Sequence, residues 1–137
     1  MHPLPLRLNP GQDLRRALEN VLIEHDCTAA FVLSGIGSLS EARVRLAGGP
    51  EPQPVIGDME ILTLSGTIAT QGAHLHITLA KSDGSVFGGH VAHGCIVRTT
   101  AEVLVALLPE WEFTREPDPV TGYDELVVRQ MTDRKGI

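Results

Sequence analysis

Apolar positions recur along the chain with two periods, and the change of period marks its elements. Leu14, Ala17, Leu18, Val21 and Leu22 follow helical spacing, with Arg15, Arg16, Glu19 and Asn20 on the opposite side. Asn9, Pro10 and Gln12 read as N-cap, first helical position and reciprocal capping partner. Together they predict an amphipathic helix of about four turns, ending near residues 25–26. Its apolar stripe needs a sheet to cover. Residues 28–33 then form a β-rich run, interrupted by Ser34-Gly35-Ile36-Gly37-Ser38. Over residues 39–46, Ala42, Val44 and Leu46 alternate with Glu41, Arg43 and Arg45, as in a half-buried strand.

Residues 48–57 hold three prolines and three glycines and read as a loop between sheet segments. Strands are predicted at 58–68 and 73–80, joined around Thr70-Gln71-Gly72, and a further one from Val86 through Val97. Residues 101–108 are ambiguous: their Ala, Glu and Leu content suits a helix, whereas Val103 and Val105 suit a strand. Residues 111–114 and 125–128 read as short closing strands, and the polar residues from Arg129 onward as a frayed tail.

The hairpin around Ser82-Asp83-Gly84 decides where three histidines go. His74, His76 and Thr78 share one strand face, while Ala73, Leu75, Ile77 and Leu79 take the other. A two-residue Asp83-Gly84 turn would set His90 opposite Ile77, on the wrong face. A three-residue loop pairs Lys81 with Ser85 and uses Gly84 as its left-handed residue. His76 then lies across from His90, with His74 as the diagonal neighbour and His93 pointing the other way. Three imidazoles with an open fourth position suit zinc or a similar divalent ion, whose bound water would become more acidic. The competing reading is three solvated or hydrogen-bonded surface histidines, or histidines that line a subunit interface.

Composition narrows the function classes. The chain has 137 residues, 42% hydrophobic and 20% charged, enough for one domain (1–137, core about 7–128) with a core of its own. Aromatics are only 4%, so stacking platforms for bases are few. A net charge of −6 with scattered basic pairs gives no general attraction to phosphate backbones. Cys27 and Cys95, without CxxC spacing, read as reduced structural thiols. The chain shows no signal-peptide pattern and no apolar run of spanning length, so a cytoplasmic location without membrane contact is expected.

Several ordered blocks carry a family resemblance. They are Pro10-Gly11-Gln12-Asp13-Leu14, the run Ala30-Phe31-Val32-Leu33-Ser34-Gly35-Ile36-Gly37-Ser38, and Gly57-Asp58-Met59-Glu60-Ile61-Leu62-Thr63-Leu64-Ser65-Gly66-Thr67-Ile68. His74-Leu75-His76-Ile77-Thr78-Leu79-Ala80, Asp83-Gly84 and Val86-Phe87-Gly88-Gly89-His90-Val91 complete the set. Over roughly residues 7–128 the chain resembles the PPC (plants and prokaryotes conserved) domain. The resemblance implies an α/β domain of α+β type: a strongly bent, mainly antiparallel sheet with one long N-terminal helix, assembled as a homotrimer. It also implies a divalent metal on His74, His76 and His90. Plant members join this domain to AT-hook segments that bind A·T-rich DNA, and free-standing prokaryotic members are assigned a DNA-binding or regulatory role by analogy. This chain has no AT-hook, and the plant Gly-Arg-Phe-Glu-Ile-Leu appears as Gly57-Asp58-Met59-Glu60-Ile61-Leu62. Three functions follow as expectations: a trimeric metal-binding regulator working through protein partners or weak DNA association, a metal-dependent enzyme acting on a small molecule, or a structural assembly module.

Other motifs have plainer readings. Gly35-Ile36-Gly37 belongs to a strand bend rather than a dinucleotide fingerprint, because Ser40 replaces the third glycine and a strand follows. Ser34 is a turn former. Glu60 is a conformational or interface carboxylate unless it reaches the histidines. Arg98 is expected in a surface ion pair, with an anionic ligand as the other option. Gly88-Gly89 suits close backbone approach or a bulge, or leaves room for a ligand above the metal.

Overall fold

The computed structural model describes residues 1–132. Eight strands and one helix follow in the order β1 (His2–Leu8), α1 (Leu14–Glu24), β2 (Ala30–Arg45), β3 (Pro54–Ala69), β4 (Gly72–Lys81), β5 (Val86–Val91), β6 (Ile96–Leu107), β7 (Trp111–Pro117) and β8 (Asp124–Gln130). Six strands form an antiparallel sheet in the order β1-β6-β2-β3-β4-β5, and β7 and β8 form a separate hairpin. At its far end β2 also pairs with β5, Val44 to Val91 and Arg45 to His90, so the sheet bends back on itself.

The inner face of this bent sheet buries Val32, Leu39, Leu64, Ile68, Leu75, Ile77, Leu79, Val97, Val103 and Val105. Against it lie Leu14, Leu18, Val21 and Leu22, the stripe that the helical spacing identified. Each fully buried aliphatic side chain contributes roughly 1.5–3 kcal/mol by leaving water. Glu19 fastens the helix at its polar side. Its Oε1 accepts from Arg15 Nε at 2.8 Å and the Ala73 amide at 3.1 Å, and its Oε2 lies 2.8 Å from His93 Nε2.

The helix is shorter than its sequence suggested. It spans 11 residues, about three turns, and its N-cap is Asp13 rather than Asn9. The reason is local. Gly11 sits at φ +85°, and its amide bonds the Val97 carbonyl at 2.9 Å, which ties this segment to β6. Asn9 and Gln12 do exchange hydrogen bonds, but they close a turn ahead of the helix. Asp13 then caps by accepting from the Arg16 amide at 3.0 Å and the Gly94 amide at 2.7 Å. A strand, β1, precedes the helix. Its outer edge carries Pro3 and Pro5, and its other edge pairs along its whole length with β6.

Other boundaries moved for comparable reasons. The break expected at residues 34–38 is a set of bulges inside one 16-residue strand, where Gly37 lets β6 approach. A Cβ on Gly37 would fall 2.3 Å from the Thr100 carbonyl oxygen. The strand predicted from Val86 to Val97 is broken at residues 92–95, with Gly94 at φ +100°. Residues 101–107 are strand: Val103 and Val105 point into the core and outweigh the helical composition. The loop expected over 48–57 gives way to β3 at Pro54. Arg129 and Gln130, expected in a frayed tail, are the last residues of β8, and the rest of that tail from 133 lies outside the described residues. Cys27 and Cys95 are both free thiols, and burial pushes Cys95 up to about 11. Among the described residues no helix is long and apolar enough to cross a membrane.

Candidate metal centre

The β4–β5 hairpin has the register that the Gly84 argument requires. Lys81 and Ser85 exchange the closing bond (amide to carbonyl, 2.8 Å), the Gly84 amide donates to the Lys81 carbonyl at 2.9 Å, and Gly84 sits at φ +85°. Asp83 stiffens the loop by accepting from the Ser85 amide at 2.9 Å and its hydroxyl at 2.6 Å. His76 therefore pairs with His90. All three imidazoles stand on the outer face. Their ring centroids are 5.0 Å (74–76), 5.2 Å (74–90) and 4.7 Å (76–90) apart.

Each ring offers a nitrogen, and these nitrogens lie within 4.8 Å of one another. Tetrahedral zinc with about 2.05 Å bonds wants nitrogens about 3.3 Å apart, so a bound ion would draw the rings together by up to about 1.5 Å. Two of the rings are biased toward the neutral form that a metal binds. His74 titrates below the ordinary imidazole value, through partial burial first and then the charges of Arg115, His76 and His90, with Glu125 opposing. His90 is lowered by partial burial, then by Arg45 and His76. The neutral imidazole is the form that ligates a metal, so both shifts favour binding. The donor set therefore fits a borderline divalent ion.

Two glycines bring His90 into place. A Cβ on Gly88 would fall 2.4 Å from the Ile77 carbonyl oxygen, and one on Gly89 would fall 2.5 Å from that of Arg45. Their bareness lets β5 press against β4 on one side and β2 on the other, which is the close approach expected of the pair.

The remaining candidates separate clearly. His93 points away and bonds Glu19. Glu60 pairs with Ala80, four positions along β4 from His76, so at about 3.3 Å per residue it lies about 13 Å along the strand from the histidines. Arg98 pairs with Asp58 at 3.0 Å in a surface ion pair. Gly35-Ile36-Gly37 and Ser34 belong to β2.

Two residues without an assigned role in the sequence stand beside the triad. Arg45 is the cross-strand partner of His90. Arg115, on β7, donates from Nη2 to Thr67 Oγ1 at 2.9 Å, and Thr67 is the cross-strand partner of His74. With His74, His90, Tyr123 and Glu125 they line an open cleft of about 720 Å³. The β7–β8 hairpin forms one wall, anchored by Phe113 under Ala29 and Ala69. Nothing in local periodicity announces either arginine, because both arrive through pairings distant in sequence.

The family model of the Plants and Prokaryotes Conserved (PCC) domain matches residues 1–109. A relative described as bifunctional protein GlmU, from Synechococcus sp. strain JA-2-3B'a(2-13), is 47% identical over 91% of this chain. The chain spans about a fifth of the length of the curated relatives it matches (20% and 21%). Among solved structures, a hypothetical protein from Salmonella cholerae-suis superposes with TM-score 0.91 and 34% identity, covering 96% of this chain and 95% of that one. A metal-containing protein from Archaeoglobus fulgidus gives TM-score 0.76 and 29% identity over 93% and 94% of the two chains. A protein from Bacteroides thetaiotaomicron, described as a candidate DNA-binding protein, gives 0.78 and 25% over 91% of each.

Proposed function

Since the chain belongs to the Plants and Prokaryotes Conserved (PCC) domain family, we propose that it is a homotrimeric metal-binding module, with His74, His76 and His90 holding one divalent ion. The observation that carries this reading is the convergence of three imidazole nitrogens within 4.8 Å, beside a cleft that His74 and His90 line. Zinc is the expected ion, because three imidazoles with a remaining open position suit a borderline cation. When bound, such an ion supplies a Lewis-acidic position and a water of lowered pKa. His74 and His76 on β4 and His90 on β5 would hold it, beside the wall that the β7–β8 hairpin forms.

The trimer rests on the outer face of the sheet. Phe31, Leu33, Ile36 and Leu104 are all more than a third exposed there, on adjacent strands β2 and β6. An apolar stripe of that kind is a recurrent mark of an association surface. A regulatory role through assembly and ligand occupancy follows most simply. DNA association is the second reading, favoured by the description of the Bacteroides neighbour. The net charge of −6 weighs against it, since phosphate contacts would have to overcome general repulsion. A metal-dependent enzyme acting on a small molecule is the third, supported by the cleft beside the ion site.

Elemental analysis of untagged protein tests the reading. Wild type is expected to carry close to one divalent ion per chain, and His76→Ala almost none, with an unchanged circular dichroism spectrum. His76 is exposed, so its removal should alter stability by less than about 0.5 kcal/mol. Equal metal content in the two proteins would remove the site.

A further inference from the structure

We infer that the cleft beside the histidines is an anion site, in which a small phosphate- or carboxylate-bearing molecule bridges the metal and the guanidinium groups of Arg45 and Arg115. The inference rests on the metal reading above and names the class of ligand that the site would take.

Three observations carry it. First, the two arginines flank the triad from different elements: Arg45 beside His90 from the end of β2, and Arg115 beside His74 from β7. Secondly, their charge is uncommitted. Among the described residues neither guanidinium has a carboxylate within ion-pairing distance, whereas Arg15, Arg43, Arg98 and Arg129 all do. In a chain of net charge −6, the two guanidiniums place positive charge at the histidine end of the cleft, beside His90 and His74. Arg115 is also held in place by its bond to Thr67 Oγ1. Thirdly, the space fits: about 720 Å³ lies within the range of roughly 300–1,000 Å³ typical of small-molecule sites.

The chemistry follows from these parts. A divalent ion held by three imidazoles would keep its full charge and an open position for an oxyanion. Guanidinium groups then bind the remaining oxygens through charge-assisted hydrogen bonds with fork geometry. Glu51, Asp124 and Glu125 also line the cleft. They oppose a large polyanion and select for a compact ligand with its charge concentrated at the metal end. Duplex DNA is a poor fit to that distribution.

The test uses cobalt(II)-loaded full-length protein, whose visible spectrum reports the coordination of the ion. Inorganic phosphate and malonate serve as probes, and binding heats are measured in parallel. Saturable spectral changes are expected in wild type. Arg45→Ala, at an exposed position without an ion-pair partner, should load cobalt fully and bind the probes about tenfold or more weakly. Arg45→Lys should recover part of that loss. Full cobalt loading with no spectral or thermal response to either probe would overturn the anion site and leave the metal site standing. Response in wild type but equal affinity in Arg45→Ala and Arg115→Ala would overturn the role of the arginines. Failure of wild type to load cobalt would overturn the metal reading and this inference with it.

Discussion

Replacing Gly89 with alanine tests whether the closure of β5 onto β2 holds the metal centre together. The added Cβ would lie 2.5 Å from the Arg45 carbonyl oxygen and 3.0 Å from Val44 Cγ1. A relaxed carbon–oxygen contact is nearer 3.3 Å, so the strands must part by about 0.8 Å. Overpacking of this kind costs about 1–3 kcal/mol. Gly89 is not among the positive-φ glycines, so alanine suits its backbone and regains roughly 0.4–1 kcal/mol from the unfolded chain. The net loss is about 1–2 kcal/mol. The second effect is geometric. His90 is the next residue and moves with its strand, away from His74 and His76, which should weaken metal binding by about tenfold or more. Urea unfolding of metal-free protein measures the first effect, and competition against a chromophoric chelator measures the second. Gly11→Ala is the control: it sits at φ +85° in open space, so it should cost about 1 kcal/mol while leaving metal affinity untouched. A Gly89→Ala protein with wild-type stability and wild-type zinc affinity would refute the argument.

Two further outcomes are expected. Because His74 and His90 titrate below the usual imidazole value, proton competition with the metal should set in only as the pH falls below about 6.5. The same shift makes metal-free stability insensitive to these groups above that pH and lowers it as the pH falls from the unfolded value toward the folded ones, which urea titrations between pH 5 and 8 would show. An Ile36→Asp substitution on the exposed outer face should reduce a trimer to monomers in sedimentation equilibrium without loss of secondary structure; a monomeric wild type would remove the trimer instead.

The hairpin that carries the histidines was legible in the sequence because its determinants are local. Period two on β4 fixed which side His74 and His76 take, and one glycine in a three-residue loop fixed the register of His90. The α1 stripe was legible for the same reason. Its start was not, because Asp13 is made the cap by a bond to Gly94, 81 positions along the chain. β1 was missed for a related reason. Two prolines in a short segment argue against a strand until β6 is known to pair with its other edge. Arg45 and Arg115 lay beyond reach because the pairing of β2 with β5, and the packing of β7 over Thr67, join segments that no window of sequence spans. Residues 101–107 show the same rule in reverse: composition left them undecided, and burial of Val103 and Val105 decided for strand.

Pro3 and Pro5 fall on alternate positions of a strand whose inward side is fully taken up by β6. The donors that proline lacks are therefore those which would have faced outward. An incoming chain that tried to extend the sheet there would meet carbonyls without matching amides at two successive sites, so ribbon-like stacking of one molecule onto the next is blocked at this border. The trimer proposed above would then use the flat outer face of the sheet rather than this border.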